Sequence, residues 1–307
     1  MSKNIAVLMG GWSGEREVSL MSGKAVSEAL RGLGHTVREI DPPHDATALV
    51  AALSEPRPDL VFNALHGAFG EDGHIQSILD LMHLPYTHSG VMASAIGMDK
   101  PLCNKALASA GVPVPESFIA TADAIRAGRV MDPPYVIKPL EGGSSIGIHL
   151  ILGRADDPRL DALELDETMM VERYIPGREL TVAVMGRARV DSRTMTITEL
   201  QPHKGFYDYE HKYSSGKTTH VIPADLPPAV MTEVLRLALL AHDTLGCSGI
   251  SRSDFRYDDS IGYIRGIYFL EINTQPGMTP FSLVPEQAAY LGMSFPELVS
   301  FLVENPA

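Results

Sequence analysis

Cysteine is scarce. Cys103 and Cys247 are the only two in 307 residues, too few to frame an extracellular fold with disulfides, so a reducing compartment is the natural setting. Positive charge is also in deficit: 25 Lys and Arg stand against 38 Asp and Glu, a formal net charge of −13. A field of that sign repels nucleic acid and anionic lipid. Any phosphate site must therefore be built locally, from clustered cations, backbone N–H groups and metal. No apolar run approaches the roughly 20 residues of a membrane-spanning helix, and the opening MSKNIAVLMGG lacks the longer apolar stretch and cleavage site of a secretory leader. The expectation is a cytoplasmic protein with neither nucleic acid nor membrane as partner. Repeats, low-complexity tracts and long linkers are missing too. What remains, 45% hydrophobic and 21% charged residues, is ordinary globular composition and excludes wholesale disorder. The length suits about two or three domains.

The first third alternates strand and helix. Ile5 to Met9 is a short apolar run broken by Gly10-Gly11. Val18, Met21, Ala25, Ala29 and Leu33 then recur at helical spacing until Gly34. Thr36 to Ile40 reads as a strand, Ala46 to Leu53 as a helix and Leu60 to Leu65 as a strand. Ile75, Ile78, Leu79 and Met82 form a further helical stripe. This β-α-β-α order predicts a parallel sheet with helices on both faces, with ligands beyond the carboxyl ends of its strands. Those ends carry Gly10 to Glu15 and His66 to Gly73.

The middle reads as α+β and antiparallel. A helix is expected over Pro101 to Ala110, with strands at Tyr135 to Lys138, Gly147 to Leu152 and Met169 to Ile175. An acidic, helix-like stretch lies between the last two. Pro176-Gly177 marks a hinge. Later strands are expected at Glu179 to Met185, Arg189 to Thr198, Gly249 to Tyr257 and Ile267 to Asn273. A long helix fills Pro228 to Leu245, and two helical segments close the chain. Residues 203–220 are polar, aromatic and without period, the mark of a functional or mobile loop. Most histidines other than His66 read as surface residues, the methionines as core filler, and Trp12 as packing.

Three segments carry chemistry. Lys138 ends a buried strand and leads into Leu140-Glu141-Gly142-Gly143-Ser144-Ser145, whose small residues let backbone N–H groups close around phosphate oxygens. An ordinary hairpin turn would read much the same, and the Gly-Lys-Ser/Thr of a Walker motif is missing. Glu271 and Asn273, two apart on one strand, share a face, and Asp254 is expected on a neighbouring strand. Oxygen donors among apolar residues suit magnesium or manganese rather than zinc, although a solvated strand face is the plainer alternative. Gly11 to Glu15 opens the first helix. Its glycines miss the dinucleotide spacing, which argues against an oxidoreductase. Glu15 and Glu17 either complement the helix dipole or, for Glu15, face the cleft and meet a substrate ammonium. His66, in a strand-end loop, suits a structural hydrogen bond as well as a catalytic one.

Together these segments resemble the D-alanine–D-alanine ligase family of the ATP-grasp superfamily. The likeness runs from Met9 to about Phe295. It rests on Gly11 to Ser19, His66-Gly67, Met98-Asp99-Lys100, Lys138-Pro139 with Gly143-Ser144-Ser145, Tyr207 to Tyr213, and Glu271 to Thr279. The resemblance implies an ATP-grasp fold behind an N-terminal Rossmann-like parallel-sheet domain, α/β followed by α+β. The divisions would be 1–98, 99–180 and 181–307. Lys100 and Lys138 would touch ATP phosphates under a lid at Ser144-Ser145, with Lys212 reaching the γ-phosphate. Glu172 and the backbone near Ile175 would read adenine, and Glu179 the ribose. Asp254, Glu271 and Asn273 would hold two Mg2+ or Mn2+. Glu15, in a network with Ser144 and Tyr213, would bind the ammonium of the first D-alanine. His66 would help to bind substrate, and Ser282 with the Leu283 backbone would take the carboxylate of the second. Arg252 and the Gly277 backbone would stabilise the oxyanion. The implied reaction makes D-alanyl-D-alanine through an acyl phosphate, for peptidoglycan, in a cytoplasmic homodimer. The rival is a ligase adding D-serine or D-lactate, and the form of residues 207–213 implies an amine rather than a hydroxy acid.

Overall fold

The computed structural model describes residues 2–128, 130–143, 147–153, 163–202 and 218–307. Residues 203–217 of the expected loop, Ser144 and Ser145 of the expected lid, and most of the acidic stretch after Leu152 lie outside that set, and so do Lys212 and Tyr213.

The chain begins as β1 (Asn4–Leu8), α1 (Arg16–Gly32), β2 (Thr36–Ile40), α2 (Ala46–Ser54), β3 (Leu60–Asn63) and α3 (His74–Leu81). The strands form a three-stranded parallel sheet in the order β2-β1-β3. Because both faces are covered, β1 and β3 are apolar without alternation. Ala6, Leu8 and Val61 pack with Leu49, Leu53, Ile75 and Leu79 of α2 and α3. Ile5, Val7, Leu60 and Phe62 pack on the other side with Val26 and Leu30 of α1. The helical stripe expected in α1 is displaced. Met21 and Leu33 are exposed, whereas the buried face holds Val18, Ser19, Ser22, Gly23, Val26, Ser27 and Leu30. Small residues occupy it because α1 lies close on the strand ends. A Cβ on Gly23 would sit 2.4 Å from Met9 Cβ, and Ser19 Oγ donates to Ala64 O at 2.7 Å.

Next come α4 (Val91–Met98), α5 (Lys100–Ser109), β4 (Ser117–Thr121), α6 (Ala122–Arg126), β5 (Tyr135–Pro139), β6 (His149–Ile151) and β7 (Thr168–Arg173). α4, β4 and α6 were not expected. α4 is short and apolar but for the buried Ser94, with no polar face to betray it, and β4 is an edge strand whose Phe118 and Ile119 are exposed. Asp99 separates α4 from α5, its side chain accepting from Leu102 N at 2.8 Å, an N-cap. These strands form an antiparallel sheet, β4-β7-β5-β6.

The last part contains β8 (Arg178–Met185), β9 (Arg193–Pro202), β10 (Thr218–Val221), α7 (Pro228–Leu245), β11 (Ile250–Tyr257), β12 (Ile267–Asn273), α8 (Leu283–Tyr290) and α9 (Phe295–Glu304). The sheet order is β10-β9-β8-β11-β12, antiparallel throughout. β9 starts four residues later than expected, because Arg189 has φ +60 in a turn after Gly186, and it runs on to Pro202. Residues 218–220, expected as loop, pair with β9 instead. α7 covers one face of this sheet. On the other, Val284, Ala288, Leu298 and Val299 of α8 and α9 share a core with Ala183, Met185 and Ile250, and also with β1 and β3. The C-terminal helices thus wedge the parallel sheet against the five-stranded one, which brings their strand ends together. The histidine expectation fails at His88 and His242, which are fully buried.

Candidate active site

The loop after β3 is folded by its own side chains. Buried Asn63 donates to Gly70 O at 2.9 Å and accepts from Leu65 N at 3.2 Å. Glu71 accepts from Gly67 N at 2.7 Å and Asp72 from Phe69 N at 2.6 Å. Gly67 (φ +71) has no room for a side chain, since an added Cβ would lie 2.9 Å from Glu15 Oε2. This places His66 between two elements. Its Nε2 lies 3.1 Å from Ser22 Oγ of α1, and its Nδ1 lies 3.7 Å from Glu71 Oε1. Burial pushes the imidazole pKa down, but the Glu71 hydrogen bond and the charges of Glu71 and Glu15 outweigh burial and the opposing Arg252, so the net shift is upward.

The turn after β12 docks on the same loop. Gln275 Nε2 donates to Leu65 O, and Met278 N donates to Ser22 Oγ at 3.3 Å. Ser282 Oγ accepts from Thr279 N at 2.9 Å, and a Cβ on Gly277 would come within 2.9 Å of that hydroxyl. Ser282 caps α8 by position, immediately before Leu283.

On β11 and β12, Asp254 stands directly opposite Glu271. The register slips between Asp254 and Phe255, so Leu270 is the extra residue of a bulge, a device that re-aims side chains near sites. Arg252 Nε and Nη2 hold Asp254 at 3.0 and 2.8 Å, and Thr181 Oγ1 donates to it at 2.6 Å. The Asn273 Nδ2 is buried with no hydrogen-bond partner among the described residues.

A cleft is lined by Lys100, Glu271 and Asn273 together with Glu71, Met98 and Gly142. Lys100 Nζ donates to Gly142 O at 2.6 Å. Gly143, also on the cleft, faces Glu15, whose Oε2 lies 3.5 Å from the position of an added Cβ. Lys138, Glu172, Glu179 and Ser282 are not part of this lining. Lys138 Nζ and Glu172 Oε1 form a buried pair at 2.5 Å across β5 and β7. The second oxygen, Glu172 Oε2, is buried with no partner among the described residues. Glu179 pairs with Arg256, whose Nε donates to Ile175 O at 3.0 Å. Glu71, Thr181 and Arg256 escaped sequence reasoning. Glu71 alone had a signal, its place in the loop beyond a parallel strand.

Two family models match: "D-ala D-ala ligase N-terminus" over residues 41–89 and "D-ala D-ala ligase C-terminus" over 108–304. The chain belongs to the D-alanine–D-alanine ligase family. A D-alanine–D-alanine ligase of Cereibacter sphaeroides is 51% identical over 301 residues, 98% of this chain and 95% of that protein. The VanG D-Ala:D-Ser ligase of Enterococcus faecalis is similar in structure, with TM-score 0.80, 29% identity and 99% of each chain covered. The D-alanine–D-alanine ligase of Bacillus anthracis complexed with ATP gives TM-score 0.79 at 26% identity, covering 99% of this chain and 97% of that one. The family membership agrees with the ATP-grasp fold, its parallel sheet preceding two antiparallel ones.

Proposed function

We infer that this protein joins two D-alanine molecules into D-alanyl-D-alanine, converting ATP to ADP and phosphate, for peptidoglycan precursor synthesis. The observation that supports this most is the cleft where Lys100, Glu271 and Asn273 meet the Gly142-Gly143 turn, with Glu15 against that turn.

The chemistry explains why such residues converge. A carboxylate is a poor electrophile. The carboxylate of the first D-alanine therefore attacks the γ-phosphorus, and ADP leaves. The amine of the second attacks the acyl phosphate carbonyl, the tetrahedral oxyanion collapses, and phosphate departs as the nitrogen loses its proton. Negative charge grows first on the phosphoryl oxygens and then on the oxyanion. Preorganised donors stabilise such charge, one donor contributing about 3 kcal/mol.

In this reading Lys100 and Lys138 neutralise phosphate oxygens, with Ser144, Ser145 and Lys212 completing that group. Glu172 Oε2, a buried acceptor without a donor among the described residues, suits the exocyclic amine of adenine, whose neighbouring edge is read near Ile175. Glu179 takes the ribose. Glu15 holds the first ammonium beside His66, Ser144 and Tyr213. Arg252 and the Gly277 backbone N–H face the oxyanion. Ser282 and Leu283 receive the second carboxylate.

Asp254, Glu271 and Asn273 would hold two Mg2+ or Mn2+, which when bound screen the phosphates and polarise the γ-phosphoryl group. The residues fit. The carboxylates of Asp254 and Glu271 stand directly opposite one another across a strand pair, where one cation can bridge them. The donors are all oxygen. An amide held for its oxygen also accounts for an Asn273 nitrogen with no partner among the described residues. Asp254 keeps lone pairs beyond those used by Arg252 and Thr181.

The divisions 1–98, 99–180 and 181–307, a homodimeric state and a cytoplasmic location belong to the same reading. Among the described residues no helix is long and apolar enough to cross a membrane. The test offers D-alanine with Mg-ATP in competition with D-serine and D-lactate. D-Alanyl-D-alanine as the predominant product is expected, and a predominant mixed product would replace the second substrate.

A further inference from the structure

Arg256 lies on β11 directly opposite Glu179 on β8. Its side chain is largely buried, 12% exposed. The guanidinium reaches three acceptors from one planar fork. Nη1 donates to Glu179 Oε2 at 3.2 Å, Nε to Ile175 O at 3.0 Å and Nη2 to Gly177 O at 2.8 Å. Its carbon lies 5.8 Å from the Tyr174 ring centre, within cation–π range.

These acceptors belong to the four-residue linker from β7 to β8, or to the first turn of β8 beyond it. The same linker is pinned elsewhere. Gly177, at φ +92, packs so closely on β11 that an added Cβ would meet Tyr257 O at 2.2 Å. Arg178, the neighbour of Glu179, points to the other face of β8 and is engaged there by Glu199 at 2.8 and 2.7 Å. The segment is therefore held from β11 by Arg256 and by the close approach of Gly177, and from the other side by Tyr174 N, which donates to Pro134 O at 3.2 Å. A lysine, with a single point charge, could not serve three acceptors in a plane.

We propose that Arg256 is a positioning residue for the nucleotide: by holding Glu179 and the Ile175 and Gly177 carbonyls on one guanidinium, it fixes the ribose-binding carboxylate relative to the adenine-facing backbone. The proposal rests on the nucleotide placement inferred above. It assigns Arg256 no contact with the reacting atoms. Its consequence is specific. Losing Arg256 removes a charged donor that orients the Glu179 carboxylate, so the contact with the ribose hydroxyls weakens while the phosphate and D-alanine contacts persist.

The experiment compares ATP with 2′-deoxy-ATP, by dissociation constant and by kcat/KM, in wild type, Arg256→Met, Arg256→Lys and Glu179→Gln. Wild type is expected to prefer ATP. A charge-assisted hydrogen bond is lost in Arg256→Met, so that preference should shrink about tenfold, with the KM for D-alanine unchanged. Arg256→Lys should recover only part of it. A generally loosened fold would weaken both nucleotides equally and leave their ratio alone, which overturns the proposal. Full preference in Arg256→Met alongside its loss in Glu179→Gln also overturns it, while the nucleotide placement stands. Full preference in both variants removes the ribose assignment of Glu179, and the proposal with it.

Discussion

Glu172→Gln separates the two oxygens of one buried carboxylate. Oε1 sits 2.5 Å from Lys138 Nζ, and Oε2 has no partner among the described residues. Glutamine keeps an oxygen for Lys138 but replaces the second acceptor with an NH2 group. If the adenine amine donates to Oε2, the variant sets donor against donor. A hydrogen bond to a charged group contributes about 1.5–3 kcal/mol, and each 1.4 kcal/mol is about tenfold in affinity. ATP binding should therefore weaken about tenfold to a hundredfold. The variant also places a neutral partner beside the buried Lys138 charge, so some stability falls too; removing a partner of a buried pair altogether costs about 3–5 kcal/mol. Calorimetric titration separates the effects if purine riboside triphosphate, which lacks the exocyclic amine, is titrated beside ATP. Wild type should discriminate between the two ligands and Glu172→Gln should not. Undiminished preference for ATP in the variant would refute the assignment of Oε2 to adenine, however unstable the protein became.

Other expectations follow the same geometry. Glu271→Gln should lose magnesium-dependent turnover by at least about a hundredfold with an unchanged circular dichroism spectrum; normal turnover would reject the metal site. Gly177→Ala forces a methyl group against Tyr257 O at positive φ and should lower stability by about 2–4 kcal/mol in urea titration, whereas a neutral result would mean the linker shifts freely. The His66 pKa is raised above 6.5 in the folded state. Its contribution is thus full below about 6.5 and is lost as pH rises through the folded value. The stability of wild type relative to His66→Gln should fall over that interval; a flat or rising difference contradicts the Glu71 and Glu15 attribution. Burial lowers His88 to about 3 and His242 to about 4. Their sign is opposite: stability present above about 6.5 is lost as pH falls toward those values. His242→Asn should flatten the acid limb of the stability profile, and an unaltered limb would exclude His242 as a cause.

The strand and helix order of the parallel sheet was legible because its apolar runs and glycine breaks are local signals. The same holds for α7, and for the placing of Asp254 on the strand beside that of Glu271 and Asn273; the register that sets Asp254 opposite Glu271 had no local signal. The buried face of α1 was not legible. Close packing on strand ends selects Ser19, Ser22 and Gly23, which carry no hydrophobic period. α4 is too apolar to show a face, and β4 is an edge strand only partly covered. At the site, Lys138 was legible from its place at a strand end before a small-residue loop, whereas sequence could name Glu172 only through family likeness. That they are a pair follows from β5 and β7 lying side by side, which no local pattern encodes. Arg256 carries no local signal in the sequence and meets the β7–β8 linker only because β8 lies beside β11.

Phosphate release from Mg-ATP, measured with and without D-alanine and with mass analysis of the product, reads the reaction itself. Release should require D-alanine and yield one phosphate for each D-alanyl-D-alanine formed. ATP turnover indifferent to D-alanine, or phosphate released with no dipeptide, would contradict the proposed ligation.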